Sequence, residues 1–257
     1  MAILTLPGTT FEVDAAIFDL DGTLVDTLGD FDEALNRMLV ELCLPSVARE
    51  AIATMVGKGS EHLLISVLNS VLAQGGRVLP AIDLEALYQR AWPSYQRHYA
   101  AINGQFAEMY PGVRQGLRAL EAAGIPMACV TNKPTAFATV LLRALDLDCF
   151  KHVFGGDAFE RKKPDPLPLL RSCAALGTVP ARTLMIGDSA NDAQAARSAG
   201  CPVLLVTYGY NHGQSARAVD ADAWVDSLAE LRDVLHSSSR RVIARTRAVC
   251  VVALHSQ

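Results

Sequence analysis

The sequence predicts an α/β protein with a Rossmann-like, doubly wound parallel sheet as its core and an all-helical cap domain inserted into it. Three observations carry that prediction. Short apolar runs bounded by Gly, Pro, Asp or Asn alternate with longer amphipathic segments. Several of the runs are almost continuously apolar, as strands buried on both faces must be. One long interval, residues 24–109, breaks the alternation and carries helical patterns alone.

The first predicted strand is residues 15–20. The interval after it holds helical patterns at 30–42, 60–72 and 84–99 and no strand, so it reads as an insertion between the first strand and its next helix. Such an insertion lies over the carboxyl edge of the sheet, where open α/β sheets bind ligands. The alternation then resumes with helix 113–123, strand 127–131, helix 135–145, strand 152–154, helix 166–176, strand 183–186, helix 192–199 and strand 203–207. Gly124, Gly177 and Gly200 stand just past three of these helices, where a left-handed C-terminal residue is favoured. The core is thus expected at 1–23 and 110–236 and the cap at 24–109. Ser237-Ser238-Ser239 reads as a linker into a tail, 237–257, for which a frayed end is the expectation and no role is assigned.

Composition limits the partners. A net charge of −4 leaves no basic footprint for a polyanion, which excludes nucleic acid as an expected partner. Hydrophobic residues make up 51% and charged residues 19%, a balance that can bury a core and argues against disorder. The six cysteines contain no CxxC pair, and several lie in apolar runs as buried free thiols do, so a reducing cytoplasm is expected. The first residues lack a signal peptide's basic start, and no apolar run approaches the roughly 18 residues of a membrane span. The expectation is a cytoplasmic monomer or small homo-oligomer without membrane contact.

Chemistry concentrates at the predicted strand ends. In Phe18-Asp19-Leu20-Asp21-Gly22-Thr23 the two aspartates are two apart on a strand, so their side chains point the same way. Carboxylates that close repel unless a cation or proton separates them, and Mg²⁺ takes a few carboxylates while keeping sites for water and phosphate. Gly22 sits at the fourth position from Asp19, not the sixth that a calcium loop requires; a surface turn capped by aspartates is the bland alternative. In Gly187-Asp188-Ser189-Ala190-Asn191-Asp192, Asp188 is placed to complete a metal site with Asp19 and Asp21. Asp192 either supports that metal or stabilises a helix start. Thr131, with the Asn132 backbone N–H, either holds a phosphate oxygen or caps a helix. The run Arg161-Lys162-Lys163-Pro164-Asp165-Pro166 is either a solvated loop or the source of a lysine that offsets the carboxylates.

Together these segments resemble the haloacid dehalogenase superfamily of phosphatases and phosphotransferases. Asp19-Leu20-Asp21-Gly22-Thr23 is similar to its first motif, Thr131-Asn132 to its second, Lys163-Pro164 to its third and the 187–192 segment to its fourth. The resemblance implies that Asp19 is a nucleophile that becomes an aspartyl phosphate, that Asp21 is the acid and base, and that Thr131 and Lys163 bind the phosphoryl group. It implies Mg²⁺ held by Asp19, Asp21 and Asp188, with Asp192 in support. Asn132-Lys133-Pro134, Gly155-Gly156-Asp157, the 162–166 loop and Gly209-Tyr210-Asn211-His212-Gly213 further resemble phosphoglycolate phosphatases, over most of residues 15–231. That implies hydrolysis of a small phosphorylated metabolite, 2-phosphoglycolate, with another small phosphomonoester or a phosphosugar mutase reaction as the alternative. In the cap, Gly57-Lys58-Gly59 is the candidate for the substrate carboxylate, with Lys58 as its cation; a flexible turn with a solvated lysine is the competing reading.

Overall fold

The computed structural model describes residues 2–6, 9–74 and 81–237. An antiparallel pair, β1 (Ala2–Leu6) and β2 (Thr9–Val13), precedes β3 (Ala15–Phe18), the first strand of the main sheet. A two-residue strand β4 (Val25–Asp26) leads into helices α1 (Leu28–Glu41), α2 (Arg49–Ala53), α3 (Ser60–Gln74) and α4 (Ala81–Ile102), and β5 (Glu108–Met109) closes the excursion by pairing with β4. The expected all-helical interval therefore has a two-stranded base. Two-residue strands carry too few side chains for an alternating pattern to register.

The chain continues through α5 (Val113–Ala122), β6 (Met127–Val130), α6 (Thr135–Ala144), β7 (His152–Phe154) and α7 (Leu167–Leu176). It then runs through β8 (Thr183–Gly187), α8 (Ala190–Ala199), β9 (Val203–Val206), β10 (Ala223–Val225), α9 (Leu231–Val234) and β11 (Leu235–Ser237). Six strands make one parallel sheet in the order β10-β9-β8-β3-β6-β7. β11 pairs with β1, Ala2 opposite Ser237, in a separate three-stranded sheet. Ser237 thus ends a strand instead of opening a linker; the rest of the expected tail lies outside the described residues.

Alternation along the buried strands feeds two cores. Ala16 and Phe18 of β3, Leu184 and Ile186 of β8 and Leu204 and Val206 of β9 belong to one cluster. Ile17, Met185, Val203 and Leu205 belong to another. Successive side chains on a strand take opposite faces, so apolar runs with no polar interruption are what this sheet needs. The helical segment buries its own cluster around Phe31, Leu35, Leu64, Tyr95 and Tyr99. Tyr210, from the loop after β9, joins it.

The topology fixes the site. β3 lies between β6 and β8, with Phe18 paired to Cys129 on one side and Ile186 on the other. The residues just past those positions therefore emerge together at one edge. The chain passes from β3 to β6 and β7 on one flank, then to β8, β9 and β10 on the other. That reversal leaves a crevice beside β3 at the carboxyl ends of the strands.

Candidate active site

Asp19 leaves β3 with its backbone N–H bound to the Ile186 carbonyl at 2.9 Å, which ties it to β8. Its carboxylate, that of Asp188 and that of Asp192 offer ligand oxygens within 4.8 Å of one another. Gly22 makes this approach possible. It has φ +86°, a left-handed conformation, and a Cβ there would run into the Asp188 carboxylate.

Lys163 braces two of the three carboxylates. Its Nζ lies 2.9 Å from Asp19 and 2.7 Å from Asp192, with its side chain 2% exposed and that of Asp192 fully buried. Burial disfavours the ammonium, but Asp19 and Asp192 outweigh it and raise the Lys163 pKa. Asp192 also accepts from Ser189 N at 3.1 Å and Ser189 Oγ at 2.7 Å through its other oxygen. Ser189 at the start of α8 thus binds one of its oxygens and Lys163 the other, so it supports that helix start and holds Lys163.

Asp188 has neutral donors only: Thr23 Oγ1 at 3.0 Å and Tyr210 N at 2.5 Å. Burial, then the charges of Asp192 and Asp19, push its pKa well above the ordinary carboxylate range. Burial likewise raises Asp19 to about 7, against the pull of Lys163. Two buried carboxylates whose charge the protein under-compensates, built from hard oxygens, form a donor set that a divalent cation such as Mg²⁺ fits.

Asp21 takes a different position from the one expected. Its carboxylate is bound to Lys133 Nζ at 3.0 Å and lies outside the three-carboxylate cluster, in which Asp192 stands instead. An i, i+2 rule holds only while the backbone stays extended, and β3 ends at Phe18. Thr131 is buried at the end of β6, and its hydroxyl accepts from Lys133 N at 3.2 Å. The Asn132 amide nitrogen is committed to structure: Nδ2 donates to the Gly57 carbonyl at 3.0 Å and the Lys163 carbonyl at 2.9 Å. Asn191 Nδ2 donates to the same Gly57 carbonyl at 3.2 Å, so one peptide of the helical segment is fastened to two loops of the sheet.

A recess opens beside them, and its walls include Asp19, Asp21, Thr131, Lys133, Phe31 and Leu63. Gly57 and Gly59 line it as well, whereas Lys58 between them is exposed and stays off the lining. Gly57 and Gly59 have φ +116° and +92°, so the chain turns at both, with the glycines on the lining and Lys58 exposed. The cation within the recess is Lys133, 4% exposed, from the Asn132-Lys133-Pro134 segment, to whose lysine the sequence assigns no role.

The doubly wound sheet thus collects three carboxylates and a lysine beyond its central strands, at the edge where open α/β sheets bind ligands. The chain belongs to the haloacid dehalogenase-like hydrolase family, whose model matches residues 16–206. It is 43% identical over 219 residues to a phosphoglycolate phosphatase of Thiobacillus denitrificans, covering 85% of this chain and 93% of that one. It is 45% identical over 228 residues to a phosphoglycolate phosphatase of Nitrosospira multiformis, covering 88% and 97%. The crystal structure of a predicted phosphoglycolate phosphatase from Haemophilus somnus superimposes with a TM-score of 0.81 at 32% identity, covering 86% of this chain and 97% of that one.

Proposed function

We propose that the protein is a Mg²⁺-dependent phosphatase that hydrolyses 2-phosphoglycolate to glycolate and phosphate. The observation that carries this reading is the Asp19–Asp188 pair at the β3–β8 crevice, braced by Lys163, in a chain with named phosphoglycolate phosphatase relatives. Mg²⁺ bound by Asp19 and Asp188 would neutralise charge on the transferring phosphoryl group.

The chain's own residues account for the rest. An Asp19 carboxylate oxygen attacks phosphorus, the phosphorus–oxygen ester bond breaks, and the leaving alkoxide takes a proton from Asp21. Water then attacks the aspartyl phosphate and gives its proton to Asp21, releasing phosphate and restoring Asp19. Two displacements of modest barrier replace one difficult one, and positioning by Thr131 and Lys163 supplies most of what phosphoryl transfer asks of a protein. The helical segment 24–109 acts as the cap, and the apolar wall of Phe31 and Leu63 suits a short leaving group. The described cysteines are free and no described helix is long and apolar enough to cross a membrane, which supports a cytoplasmic setting.

The test is phosphate release from a panel of phosphomonoesters, with and without Mg²⁺. Turnover is expected to be highest with 2-phosphoglycolate and absent in Asp19→Asn, whose amide cannot attack phosphorus. A variant that still releases phosphate at the wild-type rate removes Asp19 from the role of nucleophile.

A further inference from the structure

We propose that Lys133 is the specificity-determining residue that binds the carboxylate of the substrate; this rests on the phosphoglycolate reading and deepens it. Lys133 follows β6 in the core, yet its ammonium lies against the helical segment. Nζ is 3.0 Å from Asp21 Oδ1 and 2.6 Å from Tyr99 Oη. It stands 4.6 Å from the ring centroid of Phe31 and 4.8 Å from that of Tyr99. The side chain is 2% exposed. Ring faces and a carboxylate are favourable partners for an ammonium withdrawn from water.

An ammonium has three N–H donors, and Asp21 and Tyr99 accept two. The third is left for the recess that Lys133 lines. Among the described residues on that lining it is the one cationic side chain; Phe31, Val56 and Leu63 are apolar and Asp19 and Asp21 are acidic. A phosphoryl group at Asp19 and Thr131 leaves the leaving group to extend toward the helical segment. In 2-phosphoglycolate the carboxylate carbon is three bonds from phosphorus, so the second anion stays close to the first. Without Lys133 it would meet two carboxylates and an apolar wall. Lys58, exposed beyond the lining, cannot serve in its place.

The experiment compares 2-phosphoglycolate with 2-hydroxyethyl phosphate, which replaces the carboxylate by a neutral hydroxymethyl group. Wild-type kcat/KM is expected to favour 2-phosphoglycolate, and Lys133→Met is expected to reduce that preference roughly ten- to hundredfold, the worth of one hydrogen bond between charged groups. The loss should fall mainly on KM for 2-phosphoglycolate. An equal loss on both substrates overturns the proposal, because Lys133 would then act only through Asp21. If the variant turns over neither substrate, calorimetric binding of both in an Asp19→Asn background, with and without Lys133→Met, applies the same ratio without chemistry. Lys133→Gln, which keeps a donor and loses the charge, replaces the methionine variant if that one does not fold. A wild-type preference that survives the substitution refutes the role of Lys133 and leaves the substrate reading standing; no wild-type preference refutes both.

Discussion

Asp192 is the residue whose sequence admits two roles, and substituting asparagine separates them. The side chain is fully buried, 2.7 Å from Lys163 Nζ through one oxygen and bound by Ser189 N and Oγ through the other. Asparagine keeps the shape but has one acceptor oxygen, so its NH₂ must face either Lys163 or Ser189. Breaking one partner of a buried ion pair costs about 3–5 kcal/mol. Here Lys163 keeps Asp19 at 2.9 Å, and repulsion with Asp19 and Asp188 is relieved, which reduces the net cost to roughly 2–3 kcal/mol. At about 2–4 °C per kcal/mol for a chain near this size, Tm should fall by roughly 5–10 °C. The assay is thermal unfolding by circular dichroism in EDTA and again in Mg²⁺. A brace for Lys163 loses Tm in both conditions and keeps its Mg²⁺-dependent increment. An unchanged Tm in EDTA, with that increment gone, would refute the reasoning and make Asp192 a metal ligand.

Three further outcomes follow from the same geometry. Gly22→Ala should destabilise by at least about 1 kcal/mol, the cost of a left-handed backbone at a residue with a Cβ, and should lower turnover because the new methyl displaces Asp188; a urea midpoint and rate equal to wild type would contradict this. Asp19 titrates near 7, and burial raises Asp188 too, so protons compete with Mg²⁺: calorimetric Mg²⁺ affinity should fall about tenfold per pH unit below 7, whereas flat affinity between pH 5.5 and 8 would rule out these ligands. In the metal-free protein the same raised values make stability fall as pH rises from the ordinary carboxylate range through about 7, which urea titrations in EDTA measure. Lys58→Ala should leave KM for 2-phosphoglycolate within about twofold, as surface substitutions away from a site do, and a larger rise would return Lys58 to the recess.

The parallel strands were legible because burial on both faces leaves an unbroken apolar run, and β3, β6, β7, β8 and β9 all lie within one or two residues of their expected ends. Asp19 and Asp188 were legible for a related reason, since an acidic residue directly beyond such a run must sit at the sheet's edge. β1 and β11 were not, because the pairing of Ala2 with Ser237 joins segments separated by the whole core, and a short apolar run at a chain end suits several conformations. The three residues of β10 are too few for a period. Lys133 was hidden by context: a lysine ahead of a helix usually faces water, and only the packing of α1 and α4 over it puts Phe31 and Tyr99 at its ammonium. Whether Lys58 enters the recess or faces water depended on which way a glycine loop turns, and glycine has no side-chain pattern from which to read that.

The charges of the site can be weighed as a whole. Four carboxylates, those of Asp19, Asp21, Asp188 and Asp192, face two ammonium groups, Lys163 and Lys133. Each lysine is buried against a specific partner, Asp192 and Asp19 for one and Asp21 for the other. The imbalance is therefore not spread evenly. Of the two negative charges that remain, the charge of one divalent cation, one is on Asp188, whose donors are neutral, and the other is divided between Asp19 and Asp192, which share Lys163. A phosphoryl dianion brought to Asp19 without that cation would meet net repulsion in a medium where Coulomb terms are strong. On the proposed reading, cation binding at Asp19 and Asp188 is expected to precede or accompany anion binding. Lys163 cannot substitute for it, because its charge is already shared between Asp19 and Asp192.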